Sequence, residues 1–229
     1  MMERRSYVKS LFYLFVFIGF SSFAGSYDDF FKAVQRDDAG TVKQLLSRGF
    51  DVNTIGPAGV PALLTAIREP SPKVLAVLVN APRLQVEARN DKDESALMLA
   101  ALAGMRDVCE RLIARDADVN KPGWTPLHYA ATGGHEAVIR LLLAHYAYVD
   151  AESPNQTTPL MMAAMYGNAS SVAALLDAGA DASLRNSAGL SALDFAQRGQ
   201  RNESYELLAQ SQSSKVPARL CCFIRCILC

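Results

Sequence analysis

Three histidines and five cysteines are the residues of this chain best suited to bind a metal or attack a substrate. His128, His135 and His145 never fall at His-x-x-His spacing. No Cys-x-x-Cys pair or glycine-rich phosphate loop occurs between residues 27 and 210. The one Ser-x-x-Lys match, Ser6-Tyr-Val-Lys9, lies in a removable-looking leader, so it carries no β-lactamase chemistry. Asp91, Asp93 and Glu94 cluster on one predicted turn, where carboxylates form a solvated surface. No nucleophile has a base and an orienting group at a recognisable spacing. The residue types therefore point away from an enzyme, and no cofactor or metal is expected.

Composition narrows the remaining classes. Lys+Arg and Asp+Glu are equal at 23 each, which argues against a nucleic-acid binder, because such proteins need a cationic excess to neutralise phosphates. The chain opens with Arg4, Arg5 and Lys9, followed by the ten-residue apolar run Leu11–Phe20 and then Ser22-Phe-Ala24. This is the layout of a secretory signal peptide cut after Ala24. The run is short for a bilayer span, which needs roughly 20 apolar residues, although an uncleaved anchor is the competing reading. Loss of residues 1–24 leaves 20 basic and 22 acidic residues, a net charge of −2.

From Tyr27 onward the sequence repeats. Leu63, Leu97, Leu127, Leu160 and Leu193 recur within similar octapeptides at separations of 34, 30, 33 and 33. A second series, Leu45, Leu78, Leu112, Leu142, Leu175 and Leu207, gives 33, 34, 30, 33 and 32. Each period predicts two short helices. In the fourth, Thr125 is placed to cap a helix and Pro126 suits its first position, where no N–H is needed. Leu127, Ala130 and Ala131 form its apolar stripe and Gly134 ends it, while Val138, Leu141 and Leu142 form the stripe of a second helix. Cys109, alone in a second helix, is expected to pack as a small hydrophobe.

The pattern resembles the ankyrin repeat, with its 33-residue period and Thr-Pro-Leu-His-x-Ala signature. Residues 125–130 carry the signature in full; 158–163 carry it with Met161 in the histidine place, and 95–100 with Ser95, Ala96 and Met98. The resemblance covers residues 27–210 and implies an all-α solenoid of about six helix-turn-helix repeats with short β-hairpin fingers. It also implies that His128 is structural, and that a protein partner binds the concave side made by the fingers and first helices. One such repeat cannot bury its apolar face alone, so the first and sixth are expected to act as caps.

Two departures stand out. Five residues separate Asn120 from Thr125 where other repeats have eight, so Lys121-Pro-Gly123 must make the whole turn. In the second repeat Glu69-Pro-Ser-Pro-Lys73 replaces the turn between the helices and Asn80-Ala-Pro82-Arg the turn after them, and two prolines there are expected to shorten its helices. The first-helix positions just after the signature histidine, and three later, predict one apolar strip of Leu99, Leu102, Tyr129, Met162, Met165, Tyr166 and Phe195. If exposed, that strip is the natural docking surface. The turns around Arg89–Asp93 and Glu152–Gln156 are the next candidates.

After Gln210 the repeat stops. Ser211–Ser214 is expected to be a polar linker within a flexible cysteine-rich tail, 211–229. The terminal Cys226-Ile-Leu-Cys229 fits the form of a prenylation site, with Cys221 and Cys222 as acylation sites. Prenylation is cytosolic and conflicts with export. In an oxidising compartment the same cysteines would form disulfides. The reading favoured by the sequence is an exported, non-catalytic scaffold that binds another protein. The alternative is a lipid-anchored cytosolic adaptor, on a membrane only if the leader stays or the tail is lipidated.

Overall fold

A computed structural model describes residues 25–56, 58–69 and 71–214. The proposed leader and the lipidation cysteines Cys221, Cys222 and Cys226 lie outside the described residues. The chain packs as two compact units, the first ending at Asp93 and the second beginning at Glu94. Among the described residues no helix is long and apolar enough to cross a membrane.

The first unit holds α1 (25–35), α2 (Ala39–Ser47), α3 (Ala62–Arg68) and α4 (Pro72–Val79). Phe30 fills the place that leucine takes in the other first helices and is fully buried, with its ring 4.6 Å from that of Phe50. α2 is capped by Asp38, whose carboxylate accepts the Gly40 and Thr41 amides. The prolines do not shorten this repeat. At seven and eight residues, α3 and α4 match the helices of the following pair. Pro72 occupies the first turn of α4, where a missing N–H costs nothing. The cap has instead moved to another repeat. The Ser71 hydroxyl donates to the Val34 carbonyl at 2.7 Å, and the Asp37 carboxylate accepts the Lys73 and Val74 amides at 2.8 and 2.9 Å.

The second unit holds α5 (Ala96–Leu102), α6 (Arg106–Ile113), α7 (Pro126–Gly133), α8 (Glu136–Ala144), α9 (Pro159–Met165), α10 (Ala169–Asp177), α11 (Ala192–Arg198) and α12 (Asn202–Ser214). First helices pack in the row α5, α7, α9, α11, and second helices in the row α6, α8, α10, α12. Leu97, Leu112, Leu127, Leu142, Leu160 and Leu175 are fully buried between them. The last step of the second leucine series is shifted by one. Leu208, 33 residues after Leu175, is the fully buried side chain, whereas Leu207 is half-buried. α12 also continues through Ser211–Ser214, which the sequence suggests is linker. The Gln212 amide donates to the Ala182 carbonyl at 3.1 Å and ties this added turn to the preceding repeat.

Every first helix of this unit starts with a reciprocal cap. Ser95, Thr125, Thr158 and Ser191 accept the amide three residues on, and the side chain of that residue accepts the cap's own amide. The returning acceptor is Met98 Sδ at 3.4 Å, His128 Nδ1 at 3.2 Å, Met161 Sδ at 3.5 Å and Asp194 Oδ2 at 2.8 Å. The expected hairpins are smaller than hairpins. Ile55–Pro61 and Arg185–Ser191 are isolated β-bridges. Side chains add to the backbone bonds there: Asn186 Oδ1 accepts the Ala188 and Leu190 amides beside the Asn186 N–H to Leu190 carbonyl bond, and Ser153 Oγ accepts the Thr157 amide beside the Ser153 N–H to Thr157 carbonyl bond.

A further ladder joins successive repeats. The residue at the start of α8, α10 and α12 reaches back to the end of the first helix of the preceding repeat. His135 Nε2 meets the Leu102 carbonyl at 3.0 Å, Asn168 Nδ2 donates to Gly134 O at 2.9 Å, and Arg201 donates to Met165 O and Tyr166 O at 3.3 and 3.2 Å. The approach is close. A Cβ at Gly167 would sit 2.6 Å from the Ala131 carbonyl oxygen, so only glycine fits there.

Candidate partner-binding groove

The shortened turn shapes the surface beside it. With three residues fewer, Lys121-Pro-Gly123 turns at once into α7, and Gly123 adopts a φ of 83°. Lys121 becomes buried, and Trp124 stands directly before the cap Thr125. The Trp124 ring meets the His128 ring edge-on, with centroids 5.2 Å apart. His128 is a fixed platform. It is fully buried, its Nε2 lies 2.9 Å from the Thr157 carbonyl, and its Nδ1 accepts the Thr125 amide. These two partners require the proton on Nε2, because a carbonyl can only accept and an amide can only donate. Burial pushes the ring's pKa down to about 4, against the opposing pull of the Thr157 and Ala151 backbone. A neutral, buried and doubly bonded imidazole positions backbone and offers a substrate no proton, which agrees with the structural role expected for it.

Beside Trp124 lies an open depression of about 240 Å³ lined by Leu102, Trp124, Tyr129, Thr132 and Met162. It brings together three of the seven strip residues expected from the sequence. Tyr129 is half-buried, and its hydroxyl donates to Glu94 Oε1 at 3.1 Å. Leu102 is exposed, and Met162 is half-buried. Leu99 does not belong to the strip. It is 7% exposed and does not line the depression. Met165, Tyr166 and Phe195 retain exposed surface but do not line this depression. Tyr166 instead ends α9, and its carbonyl accepts Arg201. Trp124 was missed from the sequence because it precedes the helix rather than lying on its face. The shortened turn was the signal that could have found it.

The remaining chemistry-bearing groups are occupied structurally. Cys109 is fully buried, and burial pushes its thiol up to about 12. Asp194 is held below the usual carboxylate range by the Ser191 amide and hydroxyl, with Arg185 and Arg198 adding to this. The His145 ring is exposed, and it is the backbone N–H of His145 that caps α8. Among the described residues no group of three or more His, Cys, Asp or Glu could hold a metal ion. A second depression, of about 450 Å³, lies in the first unit between Tyr27, Phe31, Lys32, Val60 and Arg68.

Paired helices with reciprocal caps, stacked side by side around buried leucines, define an all-α repeat scaffold. The family model for ankyrin repeats (3 copies) matches residues 30–122, 78–153 and 97–186, and the chain belongs to the ankyrin-repeat family. The tyrosine-protein kinase Shark of Drosophila melanogaster is 33% identical over 140 residues, covering 59% of this chain and 15% of that protein. The nuclear factor NF-kappa-B p105 subunit of Gallus gallus is 32% identical over 161 residues, covering 67% and 16%. The chain thus spans less than a fifth of the length of these relatives. Among solved structures, an ankyrin repeat domain from Acinetobacter baumannii is 26% identical with a TM-score of 0.67, covering 79% of this chain and 96% of that one. A structure of a predatory endopeptidase from Bdellovibrio bacteriovorus in complex with an immunity protein matches at 25% identity and a TM-score of 0.66, covering 78% and 95%. Ankyrin repeats are in general non-catalytic modules that bind other proteins.

Proposed function

We propose that this protein is an exported, non-catalytic scaffold that binds a protein partner through the Trp124 groove. The observation that carries the reading is the convergence of Trp124, Tyr129, Leu102 and Met162 on one open depression. Large, rigid aromatic side chains beside exposed apolar ones are the composition of an interface centre. The likeness to a structure of an endopeptidase in complex with an immunity protein supports a folded protein, rather than a small molecule, as the occupant. Export rests on the sequence of residues 1–24, and intact mass of the native protein tests it through loss of the leader.

The groove is tested by Tyr129→Ala combined with Met162→Ala. Capture of the native partner should weaken at least tenfold, about 1.4 kcal/mol, while the circular-dichroism melt remains cooperative. Glu136→Ala with Arg140→Ala removes an exposed ion pair of 2.8 Å on α8 and should leave capture unchanged. Normal capture by the folded Tyr129/Met162 variant would show that the partner docks elsewhere.

A further inference from the structure

Two tyrosines stand on the turn that follows α8, and among the described residues they are the most exposed large apolar side chains. Tyr146 is 86% exposed and Tyr148 is 68% exposed. Neither lines the Trp124 depression. Their backbone is fixed by the preceding repeat. Asn120 Nδ2 donates to the Tyr146 carbonyl at 2.8 Å, and Asn120 Oδ1 accepts the Tyr148 amide at 2.9 Å. The rings therefore project into solvent from an ordered turn, and little backbone freedom is lost when something covers them. Tyrosine is enriched at interfaces because it offers a large rigid ring with a polar edge.

The surroundings select the occupant. The turns after α6, α8 and α10 stack along one edge of the second unit. Asn120 joins the first turn to the second, and Asp150, which accepts the Asp181 amide at 3.1 Å, joins the second to the third. Residues 114–121, 145–152 and 178–184 carry Asp116, Asp118, Asp150, Glu152 and Asp181 against Arg115 and Lys121, a net charge of −3 with histidine neutral. Lys121 is itself buried, whereas Asp116, Asp118 and Glu152 are exposed. Residues 25–93 hold nine acids and nine bases, but residues 94–214 hold 13 and 8, so the excess of −5 belongs to the unit with this edge. Aromatic faces attract cations through their quadrupole. Arginine both stacks on such a ring and pairs with a carboxylate through its fork of N–H groups. A nucleic acid or an anionic membrane surface would be repelled by the same carboxylates.

We propose that the turn edge around Tyr146 and Tyr148 is a second docking surface, which takes an arginine- or lysine-rich segment of a partner protein. Its cationic groups lie on the two rings and pair with the carboxylates beside them, Asp118 first among these. The surface is separate from the Trp124 groove, so it stands or falls independently of what binds there.

The test uses the whole chain, labelled with nitrogen-15, and an acetylated tetra-arginine amide as the probe. At low salt the peptide should move the amide resonances of residues 116–120 and 146–152 and leave those of α7 and α9 in place. Tyr146→Gly combined with Tyr148→Ser should weaken its binding about fivefold, while the circular-dichroism melt stays cooperative. Asp118→Asn keeps the oxygen that accepts the Asn120 amide at 2.9 Å and removes only the charge. It should weaken binding about twofold with both rings in place. Raising the ionic strength from about 0.05 M to about 0.3 M should weaken binding to the native chain about fivefold. Equal binding by the folded tyrosine variant, or resonance changes confined to other residues, would overturn the proposal. So would an equal response to tetraglutamate. The same resonances moved by calcium chloride alone would overturn it in favour of a metal site. Their movement on concentrating the chain without peptide would overturn it in favour of a second copy.

Discussion

Replacing His128 with methionine isolates what the histidine contributes, because Met98 and Met161 fill the same place in the neighbouring repeats. In the folded chain the imidazole is neutral and buried, with its pKa lowered from the ordinary 6.5 to about 4. The folded state therefore binds a proton less readily than the unfolded state. The resulting stabilisation is fully present above about pH 6.5 and fades as the pH falls towards 4. Two and a half pK units at about 1.36 kcal/mol each give roughly 3 kcal/mol. Urea denaturation followed by circular dichroism between pH 7.5 and pH 4 measures it. The native chain should lose about 3 kcal/mol more than His128→Met over that interval, since carboxylate protonation is common to both and cancels in the difference. Parallel pH profiles would refute the reasoning, for they would mean that the folded protein accommodates the imidazolium.

Three further substitutions probe the scaffold. Leu127→Ala empties a fully buried position between first helices and should cost roughly 2–5 kcal/mol in denaturant; a loss below about 0.5 kcal/mol would contradict that placement. Gly167→Ala pushes a Cβ to 2.6 Å from the Ala131 carbonyl and should lower stability by about 1–3 kcal/mol, read as a fall in melting temperature. Tyr146, which is 86% exposed, holds a φ of 62° at the turn position that Gly49 and Gly179 occupy in other repeats. Tyr146→Gly should raise stability by a few tenths to about 1 kcal/mol, and a lower melting temperature would show that the ring contributes more than its conformation costs.

The architecture was legible because repetition samples each position several times. Leu63, Leu97, Leu127 and Leu160 sit in the core as their spacing demands. Failures occur where a position has no counterpart elsewhere in the repeat. Pro72 is harmless because it falls on the first turn of α4, a one-residue distinction that spacing alone does not resolve. Leu207 and Leu208 are adjacent leucines, and only packing decides which faces inward. Leu99 is buried, which periodicity within one helix does not reveal. Trp124 enters the groove through a deletion, and a missing segment carries no residue type to read.

The ladder that binds α4, α8, α10 and α12 to the preceding repeat has a direction in time. Its acceptors, Val34, Leu102, Gly134 and Met165, lie 37, 33, 34 and 36 residues before their donors Ser71, His135, Asn168 and Arg201. On the ribosome the N-terminal part of a chain is free to fold first. Each carbonyl at the end of a first helix is therefore in place before the group that will bond it has been made. A newly emerging helix pair meets a template with an open acceptor and a leucine-lined face. Growth by templating in this order leaves only the latest repeat unsupported at any moment during synthesis.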